Sequence, residues 1–362
     1  LYCGYPAGLE AVGKSLGLPE DKAKLTTGRA LIRYFCTPCK PTSANGQRTR
    51  NLPHHDLERW ELFREYCRQD VTAEMEVERR LAAFPVPDFV QKQWETDLVI
   101  NARGVTVDME LVEGALSLGT AVRHTLMAEA TGLSGLDNPN SVAQLTQWLQ
   151  EETGEELPDL RKDTVAQLLQ KDENSPAVRR MLEIRQALGK TSTKKYNAIQ
   201  AAVCADGRVR GLLQFYGANR TGRWAGRLVQ VQNLPRTYTE PLALARDLVR
   251  QRNLKALKAV YGSVPDTLSQ LIRTAFVAPE GHVLIDADFS AIEARVISWL
   301  AGEDWRLAVF RTHGKIYEAS ASQMFGVPLE RIKKGNPEYA LRQKGKVAEL
   351  ALGYQGGAGA LI

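Results

Sequence analysis

Long apolar runs are missing from this 362-residue sequence. No stretch approaches the roughly 18 apolar residues of a membrane-spanning helix, which excludes a helical integral membrane protein. Cysteine is scarce: five residues, an odd number, make no disulfide framework and point to reduced thiols in a cytosolic setting. Cys36 and Cys39 form a lone CxxC, with only His54, His55 and Cys67 nearby, so incidental thiols fit better than zinc. Histidine is equally rare, and His124, His282 and His313 sit in no ligand-spaced group. There is no internal repeat, no low-complexity tract and no signal-like leader. The sequence opens at Leu1 and stops at Ile362 just after a glycine-rich run, so both ends are expected to be cut.

What is present is globular material. With 44% hydrophobic and 25% charged residues, the length suggests two or three domains at roughly 150 residues each. The net charge of +5 is unevenly placed. From Arg185 to Arg227 nine basic residues face one acid, Asp206, so this window carries +8 and the remainder −3. Tyr196, Phe215, Tyr216 and Trp224 interleave with the cations. Cations displace counterions and planar groups stack, so the combination favours a nucleic-acid backbone over a plain solvated face.

Helical periodicity is strong over 57–81 and is broken by Pro85, Val86 and Pro87. Residues 91–219 read as mostly helical, with Ser141 and Gln144 as a capping box and further helices near 163–169 and 177–188. Beyond Arg220 the pattern changes. Residues 276–278, a Pro279-Glu-Gly281 turn and residues 282–288 read as a β-hairpin. Ser290 and Glu293 are expected to cap the next helix, whose Ile292, Val296, Ile297 and Leu300 share a face. The fold class is α+β with a helix-rich middle.

In the segment HVLIDAD at 282–288, alternation puts Asp286 and Asp288 on one face of the predicted strand and Val283 and Ile285 on the other. Two acids on an apolar strand suggest either metal ligation or a solvated strand end. The following DFSAIEAR at 288–295, with WLAG at 299–302, closely resembles motif A of the family A DNA polymerases, the DNA polymerase I group. The resemblance selects Asp288 as the palm carboxylate for two catalytic Mg²⁺ ions and the Phe289 carbonyl as a further ligand. It makes Glu293 the steric gate beneath the incoming sugar. Phe289 stands where the family usually has Tyr.

Arg342, Lys346, Leu350 and Tyr354 recur at intervals of four, along one slanted helical stripe. That spacing alone also fits an ordinary surface helix. The stretch nevertheless resembles motif B, the O helix of the polymerase fingers. The resemblance implies that Arg342 and Lys346 grip the dNTP triphosphate and that Lys346 protonates the pyrophosphate leaving group. Tyr354 would lie beside the template. Leu350 takes the place of an aromatic residue that packs on the sugar. Tyr317 matches a fingers position that contacts the β-phosphate. The glycines of 353–359 lack Walker spacing and are expected to end the helix.

KTSTKK at 190–195 resembles the thumb tip that tracks the primer-template backbone, implicating Lys190, Thr191, Ser192 and Lys194. Thr221-Gly-Arg223 and Gln232-Asn-Leu-Pro235 resemble the palm segment that reads the minor groove, implicating Arg223, Gln232 and Asn233. Trp224 and Ala225 replace the usual serines. With an extra helical stretch over 241–261, this looks phage or prophage in type. Tyr66 and Asp70, one helical turn apart, resemble motif III of a DEDD-type 3′–5′ exonuclease, with Asp70 on metal and Tyr66 orienting water. A chance Tyr–Asp spacing is the plain alternative.

The resemblance implies the C-terminal part of an RNase H-like exonuclease domain over 1–84, a thumb over 85–219, the first part of the palm over 220–302 and of the fingers over 303–362. Primer-template DNA and dNTPs are the implied partners, without a membrane, in a bacterial or phage-infected cytoplasm; the sequence leaves open whether a processivity factor or replisome proteins take part. The second palm carboxylate and the upstream exonuclease acids are expected outside this chain, leaving it inactive by itself. The competing classes are a dedicated DEDD-type exonuclease and a catalytically silent DNA-binding protein.

Overall fold

The structure is a computed structural model; it describes residues 3–6, 8–19, 28–190, 193–218, 221–353, 356–357 and 359. The chain forms two compact units, Leu1–Val283 and Leu284–Ile362.

The first unit opens with α1 (Leu9–Ser15) and α2 (Gly28–Cys36), both packed on α3 (Leu57–Leu81). The span of α3 is the one its periodicity predicts. Asp56 caps it by accepting from the Arg59 amide, and three- and four-residue Glu–Arg pairs line its wet face. Gly28 lets α2 approach closely, since a Cβ there would fall 2.0 Å from Cε2 of Tyr66. The Pro85–Pro87 break holds, and α4 (Asp88–Arg103) follows it.

Next come β1 (Val105–Val107) and α5 (Met109–Ser134). At about 1.5 Å per residue, α5 is long enough to serve two cores. Its C-terminal half packs with α6 (Val142–Thr153), α7 (Lys162–Leu169) and α8 (Pro176–Leu188) around Leu145, Leu149, Met181 and Leu182. Ser141 caps α6 as expected, but Gln144 bonds the amide of Asn138 instead of closing the box.

The N-terminal half of α5 packs in a larger core with α9 (Lys194–Ala202), β2 (Arg208–Val209), α10 (Leu242–Arg250), α11 (Leu254–Tyr261), α12 (Val264–Leu271) and β5 (Phe276–Val277). The strands run β2-β1-β5, antiparallel throughout. Gly114 meets α10 so tightly that a Cβ would fall 2.1 Å from the Val249 carbonyl. Tyr196 is buried here and donates to the Leu268 carbonyl at 2.7 Å; burial pushes its phenol well above the ordinary value. A separate hairpin joins β3 (Leu213–Ala218) and β4 (Arg223–Gly226).

The expected hairpin over 276–288 forms only in part. Its first arm is β5, which pairs with β1, while residues 282–289 run without a ladder partner among the described residues. Val283 and Ile285, expected on the face opposite the two acids, are exposed, Ile285 at 89%. Alternation fixes which residues share a face but does not supply a neighbouring strand.

The second unit contains α13 (Ile292–Leu300), α14 (Asp304–Thr312), α15 (Ile316–Phe325) and α16 (Leu341–Gly353). Ser290 does not cap α13, contrary to expectation. Ala291 occupies the cap position at φ 50°, without a side-chain acceptor, and the Ser290 carbonyl instead accepts from Arg295 Nε at 2.8 Å. The shared face of Ile292, Val296, Ile297 and Leu300 is solvent-exposed. The helices α15 and α16 pack closely because Gly345 has no Cβ, which would otherwise fall 2.1 Å from the Tyr317 carbonyl.

Candidate active site

Three elements of the second unit carry the residues expected to handle a nucleotide. Asp286, Asp288 and Phe289 lie on the exposed extended segment before α13. The left-handed turn at Ala291, pinned by Arg295, sets the direction in which that segment enters the helix. Arg295 itself is held over the Phe310 ring at 4.5 Å. Glu293 is half-buried in the first turn of α13 and engaged by a neighbour. Among the described residues no group of three or more His, Cys, Asp or Glu side chains gathers as a metal site. Two exposed carboxylates still suit magnesium, which takes one or two protein oxygens and completes its shell with water and substrate phosphates.

The residues expected to meet the triphosphate lie on α15 and α16, which pack closely. Arg342 lies in the first turn of α16, with its guanidinium 5.3 Å from the Tyr317 ring centroid on α15 and 5.9 Å from that of Tyr339. Its Nε donates to Glu318 Oε1 at 2.8 Å. Lys346 stands one turn further along, half-buried, and Leu350 follows, exposed. Tyr354 lies outside the described residues.

Glu349 is buried on the same helix. It accepts from the Ser320 hydroxyl and pairs with Arg306 Nη2 at 3.0 Å, which ties α16 to both α15 and α14. The sequence pattern does not reveal Glu318, Arg306 or Glu349. Each finds its partner across a helix–helix interface 24 or more residues away, where periodicity within one helix is silent.

In the first unit, the basic window is partly spent on internal contacts. Arg210 binds Asp206 through both Nη groups at 2.8 and 2.6 Å, which lowers the Asp206 carboxyl to about 2. Arg208 donates to the Arg103 carbonyl and Lys195 to that of Val229. Lys190 pairs with Asp266, while desolvation and the nearby Lys162 pull its ammonium below the ordinary value. Lys194 is exposed at the start of α9, and Arg223 is exposed on β4. Gln232 and Asn233 are exposed on a short 3₁₀ turn, Val231–Asn233. Thr191, Ser192 and Arg220 fall outside the described residues. Trp224, beside Arg223, donates to buried Asp97 of α4 at 2.8 Å and so ties the hairpin to that helix.

Tyr66 and Asp70 do face the same way on α3. Tyr66 is only 5% exposed, stacked 6.2 Å from Phe63 in an aromatic layer that includes Phe35 and Trp60. Asp70 is half-buried.

The model of DNA polymerase family A matches residues 117–361. The chain belongs to the family A DNA polymerases. It is 56% identical over 359 residues to the DNA polymerase of Bacillus phage SP02, covering 99% of this chain and 54% of that protein. It is 26% identical over 226 residues to DNA polymerase I of Caldicellulosiruptor bescii, covering 60% of this chain and 22% of that enzyme. The chain thus spans about half the length of the phage relative. Its fold is like the POL domain of Pol1 from M. smegmatis, solved in complex with DNA primer-template and dNTP. The TM-score is 0.53 at 19% identity, with 93% of this chain and 52% of that one covered. The helix-rich α+β architecture is that of a family A polymerase domain. No helix among the described residues is long and apolar enough to cross a membrane.

Proposed function

We propose that this chain forms part of a template-directed DNA polymerase that adds dNTPs to a primer 3′-hydroxyl. The observation that carries the reading is the arrangement of α15 and α16, which sets Arg342 over Tyr317 and places Lys346 one turn along the same stripe. A cation over an aromatic ring with a second cation one helical turn along suits a triphosphate, and family membership supports the reaction.

In this reading the primer O3′ bonds to the α-phosphorus as the bond to the bridging oxygen of pyrophosphate breaks. Arg342 and Lys346 hold the triphosphate in line, with Tyr317 against its β-phosphate. Lys346 donates a proton to the departing pyrophosphate. Glu293 closes the space beneath the sugar, with Leu350 and Tyr354 beside the sugar and template. Asp288 and the Phe289 carbonyl would hold magnesium, which when bound would supply charge stabilisation to the attacking and leaving oxygens. Lys190, Thr191, Ser192, Lys194, Arg223, Gln232 and Asn233 are proposed to contact the primer-template. The thumb, palm and fingers divisions at 85–219, 220–302 and 303–362 belong to this proposal. So does a proofreading role for Tyr66 and Asp70 in 1–84.

Lys346→Ala in the complete polymerase is expected to lower kcat by about 10²-fold or more, the ordinary scale of lost general-acid and electrostatic assistance. Single-nucleotide incorporation measures it, and an undiminished rate would remove Lys346 from the chemistry. The 362-residue chain alone is expected to give no primer extension with Mg²⁺, because Asp288 lacks the second palm carboxylate that the family motif pairs with it. Extension above a no-enzyme control would refute that expectation.

A further inference from the structure

Arg342 is tethered in a particular way. Its side chain is one-third exposed and that of Glu318 only 14%, so their 2.8 Å contact is largely shielded from water. Glu318 takes only Nε. Tyr317 and Tyr339 lie beside the guanidinium, at 5.3 and 5.9 Å from their ring centroids. Among the described residues no further hydrogen bond or ion pair occupies the two Nη groups.

We infer that Glu318 is a positioning residue: it grips Arg342 by Nε and presents the Nη pair as a preformed fork for the substrate triphosphate. This rests on the reading of Arg342 as a triphosphate ligand. A free arginine side chain loses much rotamer freedom when it is immobilised. Holding the guanidinium by a charge-assisted bond before the substrate arrives removes much of that cost from binding. The Glu318 carboxylate also repels a polyanion. Because it is neutralised by Arg342 at hydrogen-bond distance, the phosphate meets a nearly neutral pair with an oriented donor edge. The preorganising effect therefore prevails. The device belongs to substrate binding, so it acts on KM for dNTP more than on kcat.

The test uses steady-state primer extension by the complete polymerase. Glu318→Ala is expected to raise dNTP KM about tenfold with kcat changed by less than about threefold, the size of one lost orienting contact. Glu318→Gln keeps an oxygen acceptor for Nε and is expected to restore KM to within about threefold of the parent. Arg342→Ala is expected to raise KM at least as much as Glu318→Ala. In that background Glu318→Ala should add nothing further, because its target is gone. Circular dichroism melts confirm that each variant is folded; if the alanine variant unfolds, the glutamine variant and the Arg342→Ala background carry the comparison. A KM that stays the same or falls in Glu318→Ala overturns the inference, as does a loss confined to kcat. Loss of KM effect in Arg342→Ala overturns the reading of Arg342 and the inference with it. An Arg342 effect without a Glu318 effect overturns the inference alone.

Discussion

Replacing Asp288 by Ala in the complete polymerase is expected to reduce primer extension by about 10⁴-fold or more, while leaving primer-template affinity within about threefold. The carboxylate sits exposed on the segment leading to α13, with no described cluster of acids to take over its role. Phosphoryl transfer is mostly positioning and electrostatic stabilisation, so an aspartate that anchors the metal has no cheap substitute. DNA grip is assigned to residues remote in sequence, which is why affinity is expected to survive. The measurement is single-turnover incorporation beside equilibrium binding of a labelled primer-template. Unchanged extension would point to a silent DNA-binding module or another active site, and would falsify the assignment of Asp288. Asp286→Ala is the natural comparison, because strand alternation alone does not separate the two acids.

The largest stability effect is expected at Asp108, in the first unit. Its carboxylate is 9% exposed, caps α5 by accepting from the Leu111 amide at 3.0 Å, and pairs with Arg246 at 2.9 Å and Arg250 at 2.5 Å. It therefore ties the start of α5 to α10. Asp108→Ala removes a cap, leaves partly buried Arg246 without its counter-ion and leaves Arg250 with Asp247 alone, so a loss of about 3 kcal/mol is expected. Asp108→Asn keeps an acceptor for the cap and loses the charge, so it should fall between Ala and the parent. Urea unfolding followed by near-ultraviolet circular dichroism reads both. A midpoint unchanged in the Ala variant would show the pair to be incidental.

The same group has a pH signature. Burial works to raise the Asp108 carboxyl, but the bonds from Arg250, the Leu111 amide and Arg246 outweigh it and hold the value below the ordinary 3.8. A depressed carboxyl stabilises the fold fully above its unfolded value, and the stabilisation is lost as pH falls through the folded value. The gap in stability between the parent and Asp108→Asn should therefore be constant near neutrality and close below about pH 4.

The parts of the fold that were legible in the sequence are those written in local spacing. The full extent of α3, the Ser141 cap, the helices at 162–169 and 176–188 and the helix bearing Arg342, Lys346 and Leu350 all follow from periodicity, caps and breakers. Motif A was legible as a motif, but the strand expected to carry it was not formed. Residues 282–288 have the right alternation, yet a strand is a property of two segments and no described one pairs with them. The Ser290 cap also failed. The chain enters α13 through a left-handed Ala291, which takes the cap position in place of Ser290.

The basic window shows where composition stops. Its +8 was correct as a sum and suggested a strip facing DNA. The fold then joined Arg210 to Asp206, Lys190 to Asp266 and Lys195 to a backbone carbonyl, while Lys194 stays exposed at the start of α9. By itself, the sequence determined the family and the main helices and nominated the residues proposed to meet a triphosphate, because motifs and 3.6-residue periodicity are local. Only the tertiary structure decided which charges remain available and how Arg342 is aimed. Those outcomes depend on partners such as Glu318 and Asp266, brought close by packing and invisible to spacing along the chain.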